Sequence, residues 1–142
     1  MNALIDTNIL LDDALAREPF AADAREIVNA CARHDYQGYI SAITPLNAFY
    51  VARRLVGIAR ARAMVKRLLD LFEVCPLDKM SLQAAYDSGQ PDIEDAAQVA
   101  AAMVSNIDVI VTRDSRGYAH APMLVLSPNE FLNSLGTTRR ML

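Results

Sequence analysis

Four aspartates fall in three separate segments where they could do chemistry together. Asp6 closes the apolar run Ala3-Leu4-Ile5, Asp92 and Asp95 open a helical stretch beside Glu94, and Asp114 follows Val109-Ile110-Val111-Thr112. Carboxylates gathered at one place repel: two unit charges about 4 Å apart cost about 4 kcal/mol at an effective dielectric near 20. A cluster of them needs a cation or shifted pKa values. An oxygen donor set without His or Cys favours Mg²⁺ or Mn²⁺ over Zn²⁺. Such ions serve phosphoryl chemistry, polarising a phosphate oxygen and activating a water. Each acid also has a plainer reading. Asp6 could cap a helix that follows it, Asp92 could cap the helix that holds Asp95, and Asp114 could be a turn residue. Asn8 could form a turn, and the Thr7 and Thr112 hydroxyls could orient carboxylates or satisfy backbone. The joint placement of the acids carries the functional reading.

The elements that must position these residues alternate along the chain. Short strands are expected at residues 3–5, 39–42, 72–75, 109–112 and 123–126. Helical patterns cover 21–33, 44–57, 60–71, 81–87 and 92–104, and a short helix starts at Ser127-Pro128. Thr44 suits an N-cap with Pro45 in the first turn, and Met64, Val65, Leu68 and Leu69 suit an inward face. The helix body Ala96 to Val104 is small and apolar nearly all round, as in a helix buried against a sheet. Val109-Ile110-Val111-Thr112 is the most hydrophobic strand and is expected at the centre of the sheet. Strands separated by helices imply right-handed crossovers and a central parallel sheet in an α/β/α sandwich. In such sheets ligands bind outside the carboxyl ends of the strands, where Asp6 and Asp114 fall.

The chain has 142 residues, 53% hydrophobic and 22% charged, which suits one globular domain and excludes an extended disordered chain. No apolar run approaches the roughly 20 residues needed to span a bilayer, and no signal peptide is evident, so a cytoplasmic location is expected and no membrane partner. Cys31 and Cys75 stand apart, as small buried hydrophobes would, and the two histidines offer no zinc site. The net charge of −3 argues against a non-specific nucleic-acid coat. Yet Arg53, Arg54, Arg60 and Arg62 fall in a stretch without acids, so a polyanion could be gripped there while a metal sits among the aspartates. A solvated basic helix face is the plainer reading.

Leu4-Ile5-Asp6-Thr7-Asn8, Asp92-Ile93-Glu94-Asp95-Ala96 and Ile110-Val111-Thr112-Arg113-Asp114, in that order, resemble the PIN-domain family. The likeness continues through Leu126-Ser127-Pro128-Asn129-Glu130-Phe131-Leu132, as in bacterial members of the VapC toxin type, and covers residues 1–135, leaving 136–142 as a C-terminal tail. The resemblance implies a metal-dependent endoribonuclease using Mg²⁺ or Mn²⁺, the toxin of a toxin–antitoxin pair, with RNA and an antitoxin as partners and a homodimer as its assembly. It gives Asp6, Asp95 and Asp114 the metal-binding and catalytic roles, Asp92 an auxiliary one, and leaves Thr7, Asn8, Asn47 and Thr112 to line the site. One position departs from the pattern: Asn47 stands where many PIN domains carry a Glu, which keeps an oxygen donor but loses a charge.

Two other classes compete. A PIN fold weakened by Asn47 could bind RNA or protein without cutting. A haloacid-dehalogenase-type phosphatase also places an Asp after its first strand, but normally has a second acid two positions on, where this chain has Asn8. A receiver domain fits less well, with no aspartate at the end of the third strand.

Overall fold

The computed structural model describes residues 1–141, and five strands form one sheet within it. In chain order the elements are β1 (Asn2–Ile5), α1 (Thr7–Ala14), α2 (Ala21–Ala32), β2 (Gln37–Ser41), α3 (Thr44–Val56), α4 (Ile58–Leu71) and β3 (Glu73–Cys75). There follow α5 (Lys79–Asp87), α6 (Ile93–Val104), β4 (Val109–Val111), a 3-10 turn (Ser115–Tyr118), β5 (Leu124–Leu126) and α7 (Pro128–Met141). The sheet order is β3-β2-β1-β4-β5, with every pairing parallel.

Alternation along β1 and β4 splits the core into two layers. Ala3, Ile5, Val109 and Val111 face Ile9, Ile27 and Phe131 of α1, α2 and α7. Leu4 and Ile110 face Val99, Ala101 and Ala102 of α6, together with Tyr118. Both faces of the sheet are therefore covered, as an all-parallel sheet requires. Gly57 separates α3 from α4 with φ of 86°, a backbone conformation open to glycine at little cost.

The α/β/α sandwich expected from the alternation is the architecture observed, with informative differences. The central strand is β1; β4 is buried on both faces but lies one place over, between β1 and β5. α1 forms directly after Asp6, too short to announce itself by period. Ile43, not Thr44, takes the N-cap position of α3, because the Thr44 hydroxyl is engaged by Thr7 at 2.8 Å and Ser41 at 3.4 Å. Leu69 is exposed, since α4 packs on α3 along a narrower stripe centred on Ala61 and Leu68. α7 opens with a reciprocal Ser127–Glu130 capping box and runs through residue 135 to Met141, so the expected tail begins inside a helix. Among the described residues no helix is long and apolar enough to cross a membrane.

Candidate active site

The order of the sheet reverses between β1 and β4, the position where open α/β sheets leave a crevice. Ile5 pairs with Val111, and the Asp6 N–H donates to the Val111 carbonyl at 3.0 Å. This register sets Asp6 beside Thr112 at the carboxyl edge. Asp6 stands at the N-cap position of α1, but its side chain does not cap the helix. Asp6 Oδ2 instead accepts from Thr112 Oγ1 at 2.8 Å, and Oδ1 accepts from Gln98 Nε2 at 3.4 Å. Burial raises the Asp6 pKa, opposed by those two bonds and by the nearby Arg113 charge.

Asp95 arrives from the other side, in the first turn of α6. Asp92 caps that helix, its Oδ1 accepting from the Asp95 N–H at 3.0 Å, as the plainer reading of Asp92 had it. The Asp95 carboxyl is pushed up to about 6, first by desolvation, then by the charges of Asp92 and Asp6, while a hydrogen bond from Tyr118 pulls it down. That bond runs from the Tyr118 hydroxyl to Asp95 Oδ1 at 3.2 Å. Gln98, only 1% exposed, supplies the bridge: its Nε2 donates both to Asp6 and, at 3.0 Å, to the Tyr118 hydroxyl. A directed chain of donors thus links the two carboxylates from behind. Gly117 makes room for it, because a Cβ there would overlap Asp95 Oδ2.

The two acids open onto a cleft of about 430 Å³. Asp6, Asp92, Glu94 and Asp95 form its acidic side. α1 contributes Thr7, Asn8 and Leu11, and α3 contributes Asn47, Tyr50 and Val51. Thr7 lines the cleft, but its hydroxyl is bound to Thr44 rather than to a carboxylate. Asn47 Nδ2 donates to Glu94 Oε1 at 2.7 Å, so the departure from the family pattern is tied to an acid from α6.

Asp114 does not join this group. It follows β4 at the correct edge, and its N–H donates to Thr112 Oγ1 at 3.1 Å. Its side chain, however, is 65% exposed, with Arg116 Nε 3.8 Å from Oδ1, and it does not line the cleft. Among the described residues no three His, Cys, Asp or Glu side chains converge as ligands of one ion. The donor set still fits Mg²⁺ or Mn²⁺: two carboxylates that crowd each other face a polar cleft, and Mg²⁺ usually takes one or two carboxylates with several waters.

The expected row of arginines is divided. Arg53 lies over the Tyr50 ring, with Cζ 4.6 Å from its centroid, at the edge of the cleft. Arg60 lines a separate hollow between the α1–α2 and α3–α4 pairs, and Arg62 a third one on the outer face of α3–α4. Arg54 is exposed in the last turn of α3. Another arginine matters more to the frame. Arg113 Nε pairs with the buried Asp12 at 2.8 Å, Arg17 pairs with the same carboxylate at 2.9 Å, and Arg113 stacks on Phe20 at 4.1 Å. This knot fastens the segment after β4 to α1.

Sequence reasoning missed Gln98, Tyr118, Gly117, Glu94 and Tyr50. Gln98 carried a signal: it is the one polar side chain between Ala96 and Val104 in an otherwise apolar helix, and a buried amide needs partners. Tyr118 comes from a 3-10 turn, which has no period to read.

A family model for the PIN domain matches residues 2–116. Nothing matches among the curated protein sequences. Among solved structures, a toxin–antitoxin complex from Klebsiella pneumoniae is similar at 23% identity and a TM-score of 0.66, covering 89% of this chain and 97% of that one. DNA-bound VapBC from Salmonella typhimurium shares 20% identity at a TM-score of 0.67, covering 90% and 98%. VapC20 from Mycobacterium tuberculosis, a toxin that cleaves the sarcin–ricin loop, shares 16% identity at a TM-score of 0.66, covering 83% and 94%. At these identities the solved structures establish the fold alone. The family-model match spans most of the chain and includes Asp6, Asp95 and Asp114, so the chain belongs to the PIN-domain family.

Proposed function

We propose that this protein is a Mg²⁺- or Mn²⁺-dependent endoribonuclease and the toxin of a toxin–antitoxin pair, working in the cytoplasm as a homodimer. The observation that carries this reading is the meeting of Asp6 and Asp95, from β1 and α6, at one cleft on the reversal point of the sheet. Family membership supplies the reaction class, and the toxins among the similar structures support the biological role.

Asp6 and Asp95 would hold the ion, with Asp92 nearby. Once bound, it would polarise a phosphate oxygen and lower the pKa of a water. Thr112 and Gln98 fix the Asp6 carboxylate, and Tyr118 fixes that of Asp95. Asp114, which does not line the cleft, would have to turn inward to join Asp6 and Asp95. Arg53, which lies over the ring of the cleft residue Tyr50, is a candidate for a phosphate contact.

Purified protein, freed of any antitoxin, should cleave structured RNA with Mg²⁺ or Mn²⁺ and stop on addition of EDTA. Asp95→Asn should lower the cleavage rate far more than RNA binding. The second reading, a PIN fold that binds RNA without cutting it, is favoured by Asn47, whose amide is engaged by Glu94. Metal-independent binding across a broad RNA panel, with no cleavage, would select it.

A further inference from the structure

Asp12 is 1% exposed, and a carboxylate taken that far out of water is costly unless it is paired. It has two partners. Arg113 donates from Nε to Oδ2 at 2.8 Å and from Nη2 to Oδ1 at 3.4 Å, and Arg17 donates from Nε to Oδ1 at 2.9 Å. The packing of α1 does not call for charge here. Ile9, Leu10 and Leu11 of the same helix already sit in the core, and apolar residues in place of a buried ion pair often leave a protein as stable or more so. Both arginines lead back to the cleft. Arg113 stands between Thr112, whose hydroxyl donates to Asp6 Oδ2 at 2.8 Å, and Asp114, whose N–H donates to that same hydroxyl oxygen at 3.1 Å. Clamping the Arg113 side chain to α1 therefore fixes the peptide that carries the Thr112 hydroxyl. Phe20 covers the Arg113 guanidinium at 4.1 Å. Arg17 Nη2 reaches Asn8, 3.3 Å from its carbonyl and 3.5 Å from Oδ1. Asn8 lies one helical turn before Asp12 and lines the cleft.

We propose that Asp12 is a positioning residue of the metal site: through Arg113 it holds the Thr112 hydroxyl on Asp6, and through Arg17 it holds Asn8 at the cleft. This rests on the metal reading above and adds to it a control point that touches neither ion nor substrate. A threonine hydroxyl has a single proton. With its oxygen accepting from the Asp114 N–H, that proton is directed at Asp6 and keeps the carboxylate in one orientation. Releasing the peptide from α1 frees the hydroxyl to turn to other partners. Asp6 then samples orientations that a cation has to reorder on binding, and affinity falls although no ligand is lost.

The test replaces the pair by apolar groups in the full chain, Asp12→Leu together with Arg113→Met. Arg17, whose side chain is 33% exposed, then turns to water. Thermal melting followed by circular dichroism should show a folded protein about as stable as wild type. Mn²⁺ affinity measured by calorimetry should nevertheless fall about tenfold or more, as it does when groups behind metal ligands are lost. Hydrogen exchange measured without metal should speed up at the Asp114 N–H and stay unchanged at the Asp6 N–H, which is bonded to the Val111 carbonyl. Thr112→Val alone should weaken Mn²⁺ binding, and adding the paired replacement to it should cost little more, because both act through one hydroxyl. Should the paired replacement not fold, Asp12→Asn, which keeps the shape and one acceptor, decides on the same readouts. Wild-type Mn²⁺ affinity in the folded variant, unchanged exchange at Asp114, or fully additive losses with Thr112→Val would each overturn the positioning role while leaving the nuclease reading standing. Failure of the wild-type chain to bind Mn²⁺ would overturn both.

Discussion

The Tyr118 hydroxyl donates to Asp95 Oδ1 at 3.2 Å while accepting from Gln98 Nε2 at 3.0 Å. A tyrosine that is 2% exposed thereby stands between two acids of the cleft and sets where one of them points. Groups that orient a metal-holding carboxylate commonly influence affinity nearly as much as the ligands do.

Tyr118→Phe keeps the ring in its core layer and removes only the hydroxyl. Asp95 loses a donor and Gln98 loses an acceptor. Mn²⁺ affinity measured by calorimetry should fall by about tenfold or more, and urea unfolding should show a loss of about 1 kcal/mol. Unchanged Mn²⁺ affinity would reduce Tyr118 to a packing residue.

The metal-free chain should show a pH dependence of stability with a definite sign. Folding raises the Asp95 pKa from its ordinary 3.8 to about 6, and burial raises that of Asp6. The folded state thus binds the proton more tightly than the unfolded one. The Asp95 contribution to stability is fully present below about pH 3.8 and is lost as pH rises through about 6. Asp95→Asn should therefore melt higher than wild type at neutral pH without metal, with the gap closing on acidification. A gap that stays constant with pH would mean that Asp95 is not strained by its neighbours.

On the proposed metal role Mn²⁺ should raise the melting temperature, since an ion held at the cleft would bind the folded form alone. Asp6→Asn and Asp95→Asn should each remove most of that rise. Asp114→Asn should remove least, because its carboxylate stands outside the cleft beside Arg116. Equal losses in all three variants would show that Asp114 swings inward when the ion binds.

Asn47→Glu replaces the donor to Glu94 with a carboxylate facing it. Without metal the variant should melt lower than wild type, through lost hydrogen bonding and new repulsion. With saturating Mn²⁺ the gap should narrow or reverse, because the added charge favours a cation. An identical response to Mn²⁺ in both proteins would place residue 47 outside the ion's reach.

The frame of the site was legible because strand ends and helix starts follow from period and composition. Asp6 after Ala3-Leu4-Ile5 and Asp95 in the first turn of α6 needed only the sheet to bring them together. What spacing could not convey was rotamer and partner. Asp114 occupies its expected place on the backbone, yet its side chain is 65% exposed and does not line the cleft. Thr112 orients a carboxylate and Thr7 does not, although both sit beside the same edge. Leu69 fits the helical period but lies outside the contact stripe, whose width depends on how closely Ala61 lets α3 approach.

Gly117 lies directly behind the Asp95 carboxylate, with no room between them for a methyl group. Gly117→Ala would push Asp95 out of place while adding no charge and deleting no ligand, with β1, β4 and the Arg113–Asp12 knot untouched. Chemistry and recognition are thereby separable at a single position: the altered chain would present its native exterior to a binding partner while its centre stays jammed. Under the toxin role proposed above, such a chain would be a safe decoy, suited to drawing out an antitoxin.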